Sequence, residues 1–166
     1  WLYDEHDVPR AAVLRAPAPS ATPLPVPDLV MGNGVGGFTR DGREYVVVLD
    51  GDRETPLPWS NVIANPDFGT IVTSSGSTFT WSGNSRENRL TPFANDPLTD
   101  PTAEAIFLRD EDLGTVWGAT PAPLPRRPEG AAWVVRHAAG VTPYRYATSD
   151  VTQELAVFVA ADDPVK

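Results

Sequence analysis

Gly37-Phe38-Thr39-Arg40-Asp41-Gly42-Arg43-Glu44-Tyr45-Val46-Val47-Val48-Leu49 decides the fold. A run of β-branched and aromatic residues follows a shorter apolar run, with Asp-Gly between them. That dipeptide supplies the positive φ angles of a tight type I′ turn, so the stretch predicts a β-hairpin. Working outward, Phe68 to Thr73 and Thr78 to Trp81 read as a second strand pair around Ser74-Ser75-Gly76-Ser77. Glu104 to Arg109 and Thr115 to Trp117 read as a third, bent at the solvated turn Asp110-Glu111-Asp112-Leu113-Gly114. Ala132 to His137, Val141 to Ala147 and Val151 to Val159 complete the series. In the last run Val151, Leu155, Val157 and Val159 share one face, and Thr152 and Glu154 the other. Phe158 on that second face predicts cover at its far end. No helical period is sustained anywhere. Short antiparallel strands at regular spacing predict an all-β antiparallel sandwich.

Composition agrees with this reading. Eighteen prolines and thirteen glycines in 166 residues suit a chain of many turns rather than a helical bundle. The prolines gather early: Pro9, Pro17, Pro19, Pro23, Pro25 and Pro27 make residues 1–33 a Pro-rich arm or linker, with one helical turn at 10–15. The sandwich then occupies residues 34–166, with ordered strands from about Gly36. A chain opening on Trp1 and stopping at Lys166 is expected to be the N-terminal part of something larger.

Charge and residue types remove several function classes. A net charge of −9 repels a phosphate backbone, and no basic stripe interrupts it, so no nucleic-acid partner is expected. No apolar run has bilayer length, which argues against direct membrane insertion by this segment. Zero cysteines remove disulfides and thiolate metal sites, as suits a cytoplasmic protein. His6 and His137 are far apart without ligand spacing, so no metal is expected, and His137 reads as a strand residue with a satisfied ring. Gly32-Asn33-Gly34-Val35-Gly36-Gly37 has dinucleotide-site spacing. It opens a hairpin rather than a helix, however, and reads as a glycine turn. No Gly-x-Ser-x-Gly elbow presents a serine, and sequence spacing picks out no pair among the many carboxylates. No catalytic residue and no cofactor is assigned.

The segment from Trp81 to Pro101 stands apart. It is long, polar and anchored by Trp81, Leu90 and Phe93, and long loops within compact domains are usually functional or disordered. Sugars are bound by planar polar groups and by aromatic faces against C–H surfaces. Trp81, Asn84, Arg86, Asn88, Arg89 and Asp96 supply those types in one span. The alternative is structural: Arg86 and Arg89 pair with local carboxylates, and Asn95-Asp96-Pro97 makes turns.

Longer motifs then become recognisable. Pro56-Leu57-Pro58-Trp59-Ser60-Asn61-Val62-Ile63-Ala64-Asn65, Phe68-Gly69, Trp81-Ser82-Gly83-Asn84-Ser85-Arg86-Glu87-Asn88-Arg89-Leu90-Thr91-Pro92-Phe93 and Asn95-Asp96-Pro97 follow in order. Val135-Arg136-His137 and Asp162-Asp163-Pro164-Val165-Lys166 extend the match. From about Gly36 the chain resembles the N-terminal β-sandwich (supersandwich) domain of glycoside hydrolase family 94. Within that family it looks most like the phosphorylase-like module of cyclic β-1,2-glucan synthases. The resemblance implies a sandwich that continues past Lys166 and precedes a catalytic (α/α)₆ barrel holding the general acid. It implies a β-glucan or oligosaccharide as substrate and inorganic phosphate as co-substrate of the full-length parent. It allows a homodimer and a parent attached to the inner membrane. Arg86 and Arg89 would then bond sugar hydroxyls at the substrate end. The expected function is a non-catalytic, substrate-proximal sandwich domain. A stand-alone carbohydrate-binding module, or a scaffold in which Trp59, Trp117 and Trp133 fill core, are the alternatives.

Overall fold

The structure is a computed structural model that describes residues 21–94, 96, 98–126 and 131–166. The expected turn at 10–15, His6, Asn95 and Pro97 lie outside the described residues. Among the described residues there are eleven strands and no helix. They are β1 (Leu29–Val30), β2 (Gly36–Thr39), β3 (Glu44–Leu49), β4 (Ser60–Ala64), β5 (Phe68–Thr73) and β6 (Thr78–Ser82), then β7 (Phe107–Arg109), β8 (Val116–Gly118), β9 (Trp133–Ala138), β10 (Val141–Ala147) and β11 (Thr152–Phe158). Three antiparallel sheets result: a large one in the order β1-β2-β3-β9-β10-β11, a small one β4-β5-β6, and the ribbon β7-β8.

The pattern of burial explains why the two larger sheets face each other. Val47, Leu49, Trp133, Val135, Tyr144 and Tyr146 point to one side of the large sheet and form a single buried cluster, against which Tyr45, Trp59, Leu155 and Val157 pack. Trp133 and Tyr146 stack at 4.6 Å between ring centres. Ile63, Thr70 and Val72 of the small sheet are also buried. Two polar contacts fix how the sheets meet. The Tyr144 hydroxyl donates to the Thr73 carbonyl at 2.6 Å, and Asn61 Nδ2 donates to the Ala138 carbonyl at 2.7 Å and to Thr142 Oγ1 at 3.0 Å. Buried groups bonded in this way also select one arrangement of the layers.

Several local details depart from the sequence reading. The first hairpin closes through a four-residue loop, because Phe38 pairs with Tyr45 and Gly42 N–H bonds the Thr39 carbonyl at 2.8 Å. Gly42 alone of the Asp-Gly pair has positive φ, at 69°, so the turn is not type I′. The third hairpin is shorter than expected, since Glu104 leaves the ribbon to meet Lys166 and Thr80. Phe158 is 54% exposed rather than covered: it lies on the outer side of the edge strand β11 with Thr152, Glu154 and Ala156. Leu29–Val30 pairs with Phe38 and Thr39 ahead of the point where strands were expected to start.

Asn65 ties the end of β4 to the last residues of the chain. Its Oδ1 accepts from the Asp67 and Phe68 amides at 2.9 and 2.7 Å, and its Nδ2 donates to the Ala160 and Asp163 carbonyls at 2.9 and 2.8 Å. Removing all four bonds by Asn65→Ala is expected to cost about 1–2 kcal/mol in denaturant unfolding, with Asn65→Asp recovering only the turn half.

Candidate functional site

The described residues between 81 and 101 fold as two pieces with different jobs. The first is a tight turn at the end of β6. Trp81 bridges Arg89, the Ser82 amide donates to the Asn88 carbonyl at 3.2 Å, and the Leu90 amide donates to the Thr80 carbonyl at 2.9 Å. Gly83, with φ of 66°, lets the chain reverse, and its amide bonds the Asp67 carbonyl at 2.6 Å. Asn84 Oδ1 then accepts from the Arg86 and Glu87 amides at 2.9 and 3.0 Å, as an N-cap does. Arg86 therefore sits at the apex of a braced turn, with its side chain 86% exposed and, among the described residues, only the neighbouring Glu87 carboxylate nearby, at 3.4 Å.

Aromatic packing holds the base of this turn. Trp81 lies opposite Gly69 in the ladder. A β-carbon on Gly69 would come within 2.6 Å of the Trp81 ring, so only glycine lets the indole lie flat there. Trp81 packs against Phe79 at 5.5 Å, Phe79 against Phe93 at 4.8 Å, and the Arg89 guanidinium sits 6.0 and 5.9 Å from those two rings. Arg89 is thus oriented by cation–π contact rather than by a carboxylate. Asn88 is exposed beside it.

The second piece is a strap over the outer face of β4-β5-β6. Thr91 Oγ1 accepts from the Thr80 amide at 2.8 Å, and Ser77 Oγ donates to the Pro101 carbonyl at 2.8 Å. Asp100 Oδ2 accepts from Thr73 Oγ1 at 2.7 Å and from Ser75 Oγ. Asp96 spends its carboxylate locally, on the Leu98 and Thr99 amides at 2.9 and 3.2 Å and the Thr99 hydroxyl at 2.8 Å. The Leu98 amide contributes most to holding that carboxyl below its ordinary range, followed by the Thr99 hydroxyl. Between strap and sheet lies a cleft of about 370 Å³.

Five of the six residues singled out from sequence, Trp81, Asn84, Arg86, Asn88 and Arg89, belong to the turn and its base. Asp96 lies apart, on the strap, and is the only one of the six that lines the cleft. Sequence reading missed the remaining cleft residues, among them Val62, Ile71, Thr73 and Asp100. An apolar Val62 on the outer side of a strand that begins Ser60-Asn61 was the available signal.

The cleft and the turn both fall within the part of the chain that matches known proteins. The chain is 44% identical over 128 residues to the cyclic β-(1,2)-glucan synthase NdvB of Rhizobium meliloti (strain 1021), covering 77% of this chain and 4% of that protein. It is 26% identical over 124 residues to the N,N′-diacetylchitobiose phosphorylase of Vibrio furnissii and 24% identical over 124 residues to that of Vibrio proteolyticus, in each case covering 75% of this chain and 15% of the relative. The chain thus spans only a small part of the length of these relatives. Residues 43–166 match the family described as glycosyl hydrolase 94, supersandwich domain. Its antiparallel sheets, its order of motifs and that match together place the chain in the glycosyl hydrolase 94 supersandwich family.

Proposed function

We propose that this chain is the non-catalytic, substrate-proximal sandwich domain of a larger enzyme that makes or phosphorolyses a β-linked glucan. In this role it lends the turn Gly83–Asn88 and Arg89 to a catalytic barrel elsewhere in the parent chain. One observation carries the reading: Arg86 is held out at the apex of a turn braced on both flanks, with its guanidinium in solvent. The braced backbone presents a planar guanidinium to solvent, and such a group matches paired sugar hydroxyls. Asn88 and the aromatic-backed Arg89 extend the same surface. The higher identity to the glucan synthase than to the two chitobiose phosphorylases favours a β-1,2-glucan, with inorganic phosphate as co-substrate.

The test is kinetic and uses the full-length protein. Arg86→Ala and Arg89→Ala are each expected to lower kcat/KM for β-1,2-linked gluco-oligosaccharides plus phosphate about tenfold, or about 1.4 kcal/mol of transition-state binding. Arg86→Ala should leave the melting temperature unchanged. Unaltered kinetics in both variants, with loss of assembly, would make the domain a scaffold instead. Phosphorolysis by the 166-residue chain alone would contradict its non-catalytic role.

A further inference from the structure

The turn that carries Arg86 leaves the strap cleft without a role, and the cleft has the chemistry of a ligand site. Its floor is Val62, Ile71 and Phe79 on the outer face of the small sheet, and Phe93 closes one side. Val62 is 61% exposed and Phe93 is 44% exposed, so this apolar surface is open to solvent. At about 370 Å³ the space lies within the range of small-molecule sites. Polar groups surround it: the hydroxyls of Ser60, Thr73 and Ser77, and the carboxylates of Asp96 and Asp100.

That lining chooses among ligands. Among the described residues no Lys, Arg or His lines the cleft and two carboxylates do, so phosphate and other anions are disfavoured. A purely hydrocarbon ligand would strip water from the carboxylates without replacing their hydrogen bonds. A neutral polyol with one apolar face satisfies both halves. Asp100 is the natural acceptor, because the Thr73 and Ser75 hydroxyls both bond Oδ2, and among the described residues Oδ1 is uncommitted. Its φ of 39° is a left-handed conformation held in place by those two hydroxyls and by the bond from its own amide to the Asp96 carbonyl, at 3.2 Å.

We propose that the cleft between the β4-β5-β6 sheet and the strap residues 92–94, 96, 100 and 101 binds one pyranose ring of a neutral oligosaccharide, as a site separate from the Arg86 turn. The ring's C–H face lies on Ile71 and Phe93, and its hydroxyls donate to Asp100 and meet the Ser60 hydroxyl. The assignment comes from the cleft's own lining; only the choice of glucose units as probe rests on the functional reading above.

The experiment is an NMR titration of the 166-residue chain with β-1,2-linked glucotetraose, and separately with inorganic phosphate. The sugar is expected to produce saturable amide shifts at Val62, Ile71, Phe93 and Asp100, and phosphate none. Val62→Trp, which fills the cleft from an exposed position, should weaken sugar binding about tenfold (about 1.4 kcal/mol). Shifts confined to residues 83–89, saturation by phosphate, undiminished binding by a folded Val62→Trp chain, or no saturable shift at tens of millimolar sugar would each overturn the site. The kinetic test of Arg86 and Arg89 reads a different surface, so failure of either proposal is visible independently of the other.

Discussion

Acidification from pH 6.5 to pH 4 should remove about 3 kcal/mol of folding stability through His137 alone. The ring lies on the inner side of β9, opposite Tyr45 of β3. Its Nδ1 is 3.1 Å from Thr142 Oγ1, and the Trp59 backbone is its second polar neighbour. The ring therefore has polar neighbours, as expected of a strand histidine. Burial drives the pKa down from 6.5 to about 4, and the nearby Trp59 backbone, which favours the charged ring, offsets this only in part. The sign follows from which state takes the proton. Below pH 6.5 the unfolded chain binds a proton that the folded chain refuses until about pH 4, so stability is full above 6.5 and declines across that window. Glu104 adds to the loss further into acid. Burial raises its pKa, but the bonds from Lys166 and Thr80 and the Lys166 charge outweigh burial and hold the net value below the ordinary one. That contribution disappears as the carboxylate is protonated. Urea unfolding at a series of pH values should show the decline, and His137→Gln should flatten it between 6.5 and 4. A constant offset between the two proteins would mean that His137 titrates normally when folded.

How much of this could be read in the sequence depends on whether a residue's side chain or its backbone does the work. β3, β5 and β9 were legible because Val46, Val47, Val72, Val134 and Val135 are β-branched residues in buried runs. β4 was not, since Ser60-Asn61 reads as loop chemistry until one sees Asn61 reaching across to Ala138 and Thr142. β1 has two residues after a proline-rich stretch, and its existence depends on β2 being there to pair with it. The Asp-Gly turn was placed correctly but misassigned in type. Loop length is set by the pairing of Phe38 with Tyr45, and the dipeptide does not encode that.

The loop shows the same division. Its polar residues announced a special segment, yet their types could not say whether each oxygen faced a ligand or the loop's own amides. Asn84 and Asp96 do the second, and of the two only the Asp96 turn belonged to the structural alternative. Arg86 meets a neighbouring carboxylate, as that alternative also expected, whereas Arg89 lies on two aromatic rings. The cleft itself was invisible, because it is made by β4 and β5 on one side and a strap on the other. Those pieces adjoin only after the chain has turned back at Ser75-Gly76.

That turn is where a single methyl group should do the most damage. Gly76 has φ of 97°, in the left-handed half of conformational space that costs an L-residue about 1–2 kcal/mol. A β-carbon there would lie within 2.8 Å of Thr120 Cγ2 and closer still to Thr120 Cβ and Oγ1. Thr120 is buried and cannot swing clear, since its hydroxyl donates to the Ala122 carbonyl at 2.7 Å. Overpacking of this kind typically adds about 1–3 kcal/mol, so Gly76→Ala is expected to cost about 2–5 kcal/mol in all. The two parts are separable. Thr120→Gly removes the side chain that the new methyl group would strike, so the double variant should recover the overlap part and keep the backbone part, giving a coupling of about 1–3 kcal/mol between the sites. The damage should also travel. Ser75 and Thr73 hold Asp100, and the Ala122 amide bonds the Ser75 carbonyl at 2.8 Å, so a displaced turn releases the strap from the sheet. Amide hydrogen exchange at Asp100 should therefore quicken in Gly76→Ala more than exchange in β9 and β10. A uniform quickening across the large sheet as well would mean that the turn supports the whole fold, and not the strap in particular.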